Sequence, residues 1–286
     1  MIKALITVYH PADAVKENVE KIASQVDEVY ICDNSPQNHE QFFSKKSDNI
    51  HYIWFQQNLG LSSAFNRILK DEDLFSDSDY IIFFDQDSSI SEGHIKKLVE
   101  EYESIEKKQA NIGCLSPVFF NTSNNTVEIP RMKTPINEHS FEVASAITSS
   151  MLCKFKTIKD IGFWNESVFL DMADWDFCWR MRKQGKSCVM TDVVTLRHSL
   201  GTGEKKIGPI SLRVGSAFRE YYQTRECLYL LTKDYTPFKF KIRFIAMLTI
   251  RPIIHLIFLD NRRARFKYII KGIKDFFVKK TGELQI

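Results

Sequence analysis

The six cysteines of this 286-residue chain (Cys32, Cys114, Cys153, Cys178, Cys188 and Cys227) include no CxxC pair. Scattered singly, they fit neither a zinc site nor a small disulfide-stapled scaffold, and a reducing compartment is the expected setting. No apolar run reaches bilayer length. The longest, Phe244 to Leu259, is sixteen residues and contains Arg251, Pro252 and His255, so it is not read as a membrane span. The opening MIKALITVYHP has no charged leader and no cleavage site of small residues; it reads as a strand, with the protein expected on the cytoplasmic side. Internal repeats, low-complexity tracts and the GxGxxG fingerprint are also missing, so a nucleotide would have to be held in another way.

What is present is a chain of 44% hydrophobic and 13% aromatic residues, enough for one large core or one domain plus a smaller appendage. The formal charge of +3 hides an asymmetry. Lys239 to Lys280 holds twelve Lys/Arg against Asp260 and Asp275, a local +10 that leaves −7 on the remainder. Such a tail is built to meet an anionic surface, nucleic acid or membrane. Within it Phe266, Ile269, Ile270, Ile273, Phe276 and Phe277 recur at helical spacing, with Lys267, Lys271 and Lys274 on another face, which predicts a basic amphipathic helix. The continuous apolar stripe suits lipid or protein better than nucleic acid.

Through the first half, apolar strand-like runs alternate with helical patterns. Strands are predicted at Ala4–Tyr9, Glu28–Cys32, Ile50–Phe55 and Tyr80–Phe84, with helices near Asp13–Ser24 and Leu61–Lys70. This alternation predicts βαβ units and a mostly parallel sheet flanked by helices. Polar clusters follow the strands, and ligands of open α/β sheets bind beyond the carboxyl ends of strands. A polar stretch from about Asn121 to Ser140 reads as a loop or irregular insertion, before a second core segment from Phe141 to Leu196.

Two acidic constellations carry candidate chemistry. Asp85-Gln86-Asp87 follows the apolar strand YIIFF directly. Carboxylates at i and i+2 past a strand end can share one divalent ion, since hard oxygen donors suit magnesium or manganese. The structural alternative is a turn, with Ser88 or Ser89 capping a helix near Glu92. The second is Asp171, Asp174 and Asp176, set among Phe169, Leu170, Met172, Trp175, Phe177 and Trp179. On a helix Asp171 and Asp174 share a face, and carboxylates in apolar company tend to be paired or catalytic. The alternative there is a solvated first turn.

With these segments in view, residues 2 to 230 resemble the family-two glycosyltransferases of the GT-A fold, and most of all their rhamnosyltransferase-like branch. ITVYHP looks like the family's first nucleotide strand and VYICDNSP like its second, which implicates Asp33, with Thr7 and Tyr9, in holding the nucleoside. QNLGLSSAFNRIL is similar to the Asn-x-Gly…Ala-x-Asn helix entry and implicates Asn58, Gly60 and Asn66. FFDQDS resembles the branch's metal-binding DxD, hence Asp85 and Asp87. GFWNESVFLDMADWDFCWRMRKQGK resembles the acceptor-side motif and puts the catalytic base on Asp174, with Asp171 and Asp176 beside the acceptor; Ala173 replaces the usual Glu. LRHSLG implies His198 as a third metal ligand. YYQTRE is similar to YYxxRN and implicates Arg225, Tyr221 and Tyr222 in holding the diphosphate or closing the site, with Glu226 where the branch has Asn.

The resemblance implies a GT-A catalytic domain over residues 1–230, followed by a helical, basic segment over 231–286 that meets the inner membrane surface, packs on the catalytic domain, or joins a second subunit. It implies a magnesium- or manganese-dependent, inverting transfer of sugar from a nucleotide diphosphate. The expected donor is dTDP-rhamnose and the acceptor a lipid-linked oligosaccharide of O-antigen or capsule synthesis. A UDP-sugar such as UDP-glucose or UDP-galactofuranose is the alternative. A sugar-nucleotide nucleotidyltransferase would need a Gly-rich basic loop after the first strand, which VYHPADAVKEN lacks. A membrane-surface binder that has lost catalysis is disfavoured by the joint presence of Asp85, Asp87 and Asp174.

Overall fold

The computed structural model describes the chain except residues 44–47, 110, 122–125, 131, 199–203, 208–209, 214 and 286. Its first half is the predicted alternation: β1 (Ile2–Val8), α1 (Asp13–Ala23), β2 (Glu28–Asp33), the short α2 (Glu40–Phe43), β3 (Ile50–Trp54), α3 (Gly60–Leu69), β4 (Tyr80–Asp85) and α4 (His94–Lys108). β5 (Ile112–Asn121), β6 (Thr126–Glu128), β7 (Thr134–Pro135), β8 (Ser140–Val143) and β9 (Met151–Lys154) follow, then α5 (Phe155–Asp160), α6 (Ala173–Lys183) and β10 (Ser187–His198). A two-stranded ribbon, β11 (Glu204–Ile207) and β12 (Ile210–Arg213), precedes three helices, α7 (Arg219–Leu231), α8 (Phe238–Phe258) and α9 (Arg262–Phe277).

The main sheet runs β3-β2-β1-β4-β9-β5-β10-β8-β7, with β6 on β5. β1 to β4 pair in parallel, as do β5 and β10, while β9 is antiparallel to both β4 and β5. Ala4, Leu5, Val29, Ile31 and Ile81 to Phe84 are buried. Strands covered on both faces read as near-continuous apolar runs, which made them legible. One face packs α1 and α4, with Val19, Ile95 and Tyr102; the other packs α3 and α6 around a stack of Trp164 on Phe177 at 3.9 Å.

The polar stretch from Asn121 to Ser140 is the expected irregular insertion, carrying two short strands, β6 on β5 and β7 on β8. Two expectations are corrected. Ser88 bonds Ser149 instead of capping a helix, and α4 starts at His94 behind a left-handed Gly93. The lone cysteines are not all apart: the Sγ atoms of Cys114, Cys178 and Cys188 lie within 4.8 Å of one another in the core. Hydrogen bonding to Cys114 and burial hold the thiols of Cys178 and Cys188 well above the ordinary range, so they pack as small neutral side chains.

The tail is docked on the body of the chain. Glu220 on α7 accepts hydrogen bonds from His255 of α8 at 2.6 Å and Arg265 of α9 at 3.0 Å, all three buried. Gly272 lets α9 lie against α7 so closely that a Cβ there would sit 2.7 Å from the Tyr221 carbonyl oxygen. The predicted apolar stripe of α9 is therefore split, with Ile269 buried and Phe266, Ile270 and Phe277 left outside. α8 exposes Phe238, Ile242, Ile245, Ile253 and Ile257 opposite its buried Phe244 and His255. Among the described residues no helix is long and apolar enough to cross a membrane.

Candidate active site

β1, β2 and β4 end together, with Thr7 opposite Asp85 and Val8 opposite Asp33 in the parallel register. Beyond these ends lies a cleft of about 500 Å³ whose polar wall is Thr7, Tyr9, Asn34, Asn58, Asp85 and Gln86. The facing wall is Phe169, Leu170, Phe218, Tyr222, Tyr268 and Leu284. A larger cleft of about 830 Å³ beside Trp54 and Arg67 is not lined by Asp85, whereas the smaller one is and lies beyond the strand ends, so the smaller one is the candidate site.

The loop after β4 is pinned to the residue after β1 and to α1. Gln86 accepts a hydrogen bond from the Tyr9 N–H at 2.8 Å through its side chain, and from Asn18 at 3.3 Å through its carbonyl. Asp85 thus borders the cleft and Asp87 stands exposed two residues on. The end of β10 lies against this loop through a backbone bridge between Arg197 and Ser89. His198 follows Arg197 on that strand, and its side chain lies outside the described residues.

Gly60 is required where it stands. Its φ is +77°, and a Cβ would lie 2.6 Å from both the ring and the carbonyl oxygen of Phe169. Leu61 N–H donates to that same carbonyl at 2.8 Å, so the start of α3 and the 169–172 loop form one unit. Asn34 ties β2 to this unit, accepting from Leu59 N–H at 3.1 Å and donating to the Gly60 carbonyl at 3.3 Å. Asn34 was missed in the sequence, where its one signal is its place directly after Asp33.

The 169–172 loop is held from the other side by Glu226 of α7. Its carboxylate accepts four backbone N–H groups, from Phe169 and Leu170 on one oxygen and Asp171 and Met172 on the other, at 2.9 to 3.1 Å. Burial and the nearby Asp171 charge push Glu226 up to about 7, while the four donors favour its ionised form. The departure from the family pattern at this position is thus a clamp on the loop that carries Asp171. Asp171 precedes α6 and does not share a helical face with Asp174; it pairs with Arg219, and its buried Oδ2 has no hydrogen-bond partner among the described residues.

Asp174 opens the first turn of α6, partly exposed, with Trp175 N–H on its Oδ1 at 2.8 Å. Burial pushes its carboxyl up to about 8; the neighbouring Cys178 adds to this, and so do the charges of Asp85 and Asp171. Burial opposes the charge of Arg219, but Asp171, Glu226 and Asp85 more than offset it and raise its pKa. Arg219 is the cation of this acidic cluster, and no sequence pattern singled it out.

Four predicted residues are committed elsewhere. Asp33 is fully buried and accepts from Tyr52 at 2.6 Å, His39 at 2.9 Å and Ser35 N–H at 2.8 Å, which shapes the loop after β2. Asn66 clips the main chain of Trp164 and the side chain of Glu166. Asp176 turns away from the cleft into a buried set with Asn165, Tyr235 and Arg180. Arg225 is buried between the rings of Tyr221 and Tyr222 and donates to the Gly282 carbonyl at 3.0 Å. Brought together at the cleft are Thr7, Tyr9, Asn58, Gly60 and Asp85, with Asp171 and Asp174 in its acidic surroundings.

The pattern described as glycosyl transferase family 2 matches residues 4–162. Over 292 aligned residues the chain is 24% identical to the dTDP-rhamnosyl transferase RfbF of Shigella flexneri, covering 95% of this chain and 93% of that protein. Its fold is similar to that of S. aureus TarS, with a TM-score of 0.59 and 15% identity, over 97% of this chain and 49% of TarS. It is also similar to GalNAc-T7 solved with UDP, GalNAc and Mn2+, with a TM-score of 0.62 and 12% identity, over 97% and 56% of the two chains. The chain thus spans about half the length of these two structures.

Proposed function

Because the chain belongs to glycosyl transferase family 2, we propose that it moves rhamnose from dTDP-rhamnose onto a lipid-linked oligosaccharide, with inversion at the anomeric carbon. The observation that supports this reading is the cleft beyond the ends of β1, β2 and β4, lined by Thr7, Asn34 and Asp85, with Asp174 beside it, a carboxyl that burial pushes up to about 8 and whose shift the charge of Asp85 adds to. An acid with so raised a proton affinity, once ionised, is a far stronger base than an ordinary aspartate. Asp174 would take the proton of an acceptor hydroxyl as it attacks the anomeric carbon. One direct displacement inverts the centre and needs no covalent intermediate.

The residues suit a hard divalent cation in kind: Asp85 and Asp87 are carboxylate oxygen donors two positions apart at the end of β4, and Arg219 paired with Asp171 brings a positive charge to the same acidic surroundings. Magnesium or manganese held by Asp85 and Asp87, with His198 as a third candidate, would supply positive charge to the departing diphosphate. Thr7, Tyr9 and Asn34 would hold the nucleoside side, and Arg219, fixed by Asp171, would add a second positive charge near the phosphates. The named relative supports rhamnose as the sugar and dTDP as the carrier.

We place the catalytic residues in 1–230, with Tyr268 and Leu284 of the segment 231–286 in the cleft wall, and the membrane contact on the exposed faces of α8 and α9 within 231–286. The support is chemical: α8 and α9 expose Phe238, Ile242, Ile253, Ile257, Phe266 and Phe277 beside Lys239, Arg243, Arg262, Arg263, Lys267 and Lys274. Apolar side chains flanked by cations suit the interface of an anionic inner leaflet, where lipid-linked acceptors reside.

The test is the melting temperature of the purified chain with dTDP, UDP, GDP and CDP, with and without manganese. A manganese-dependent rise with dTDP supports the rhamnosyl donor. A rise with UDP alone replaces it with a UDP-hexose, and no rise with any nucleotide refutes the donor site.

A further inference from the structure

Resting on that donor site, we propose that the segment following α9 is a wall of the donor pocket and that Leu284 positions the donor's sugar. Residues about 275 positions apart meet here, since Leu284 and Tyr268 line the same cleft as Thr7 and Asp85. The segment is fastened at two points, by Arg225 to the Gly282 carbonyl at 3.0 Å and by Leu284 N–H to the Tyr222 hydroxyl at 2.9 Å. Both anchors are on α7, the helix that carries Glu226 and so holds the 169–172 loop. Tyr222 is stacked on Phe169 at 4.8 Å between centroids, and Leu284 packs against that cluster.

The anchors are themselves supported. Arg225 also donates to Tyr221 at 2.9 Å, and the Tyr221 hydroxyl donates to Asp275 of α9 at 2.8 Å. With Gly272 against the Tyr221 carbonyl, α9 cannot slide on α7 without breaking these contacts. The segment is a wall and not a plug, because the cleft of about 500 Å³ persists with the segment in place, a volume of the order that small-molecule sites have. The apolar Leu284 and Tyr222 share the cleft with the polar Asn58, Asp85 and Gln86. That arrangement suits a pyranose whose C–H face rests on Leu284 and Tyr222 while its hydroxyls turn to the polar side. The adjacent Glu283, which also lines the cleft, offers an acceptor to a sugar hydroxyl.

The experiment compares the full chain with a chain ending at Thr281 and with Leu284→Asp and Leu284→Met. Readouts are donor KM and kcat, affinity for the free nucleoside diphosphate with manganese, and melting temperature. The expected result is a donor KM raised about tenfold by the truncation and by Leu284→Asp, the order expected for losing one leucine-sized apolar contact, with kcat within about threefold. Leu284→Met restores the KM, and nucleoside diphosphate affinity stays within about twofold because the wall meets the sugar. The Asp and Met variants decide the matter should the truncation lower the melting temperature. An unchanged KM, a tighter donor, or an equal loss for the free nucleoside diphosphate overturns the proposal. A full chain that binds no nucleoside diphosphate at all would instead overturn the donor site on which it rests.

Discussion

Asp174→Asn is expected to make the protein more stable and inactive at once. In the folded chain the carboxyl is held up to about 8, against an ordinary value of 3.8. The unfolded chain therefore releases this proton near pH 4 and the folded chain near pH 8, so stability falls as pH rises through that window. At pH 7 the two states differ by about 3 pH units, which at ~1.4 kcal/mol each sets a ceiling near 4 kcal/mol on the cost. Asp174 is partly exposed, and solvent trims this to about 1–3 kcal/mol. Asparagine keeps the shape and has no proton to lose. With the site stripped by EDTA, the variant should melt about 2–4 °C higher per kcal/mol at pH 8, with roughly a third of that advantage left at pH 5. Turnover should fall by about 10²–10⁴, the contribution of a positioned base. A variant that melts no higher than wild type at pH 8, or whose advantage is the same at pH 5, refutes the electrostatic reasoning. Retained turnover refutes the assignment of the base.

Gly60→Ala forces a Cβ into Phe169 at φ +77° and should cost about 2–4 kcal/mol in a denaturant titration; a loss under 1 kcal/mol would show that the loop yields. Glu226→Gln replaces an acceptor of four N–H groups by a side chain that brings its own donors, which should cost about 1–3 kcal/mol and lower kcat; unchanged kinetics would separate this clamp from the site. Burial, with Lys97 nearby, lowers buried His94 to about 4, below its unfolded value, so its contribution is present above pH 6.5 and lost as pH falls toward 4. His94→Gln should flatten that acid limb of the stability profile, and an identical acid limb in the variant would contradict it.

The parallel strands and the Asp85 loop were legible because a strand buried on both faces has little choice but to be apolar, and its end is marked where polarity begins. The partly buried setting of Asp174 was legible through its apolar company. The partners of its neighbours were not. Asn66 bonds to Trp164, 98 residues away, and Asp176 to Tyr235, 59 away, so nothing local separates an acid facing a cleft from one closing a buried network. Arg225 and Arg219 lie six positions apart on one helix. Their opposite fates follow from which turn meets Asp171 and which meets Gly282. The tail was read correctly as helical, but the face that docks is built on Gly272 and on buried polar pairs, which no hydrophobic period reveals.

A cleft whose walls come from residues 7–9 and 283–284 has a consequence for the order in which the protein becomes competent. Contacts this distant along the chain close the longest loops and are rewarded late in folding. The β1–β4 half, paired through local crossovers, can be in place while the pocket is still open on one side. A protease cut between α9 and Gly282 would leave the sheet and its spectroscopic signature intact. The nicked chain would look folded by every global measure and yet have lost one side of its cleft.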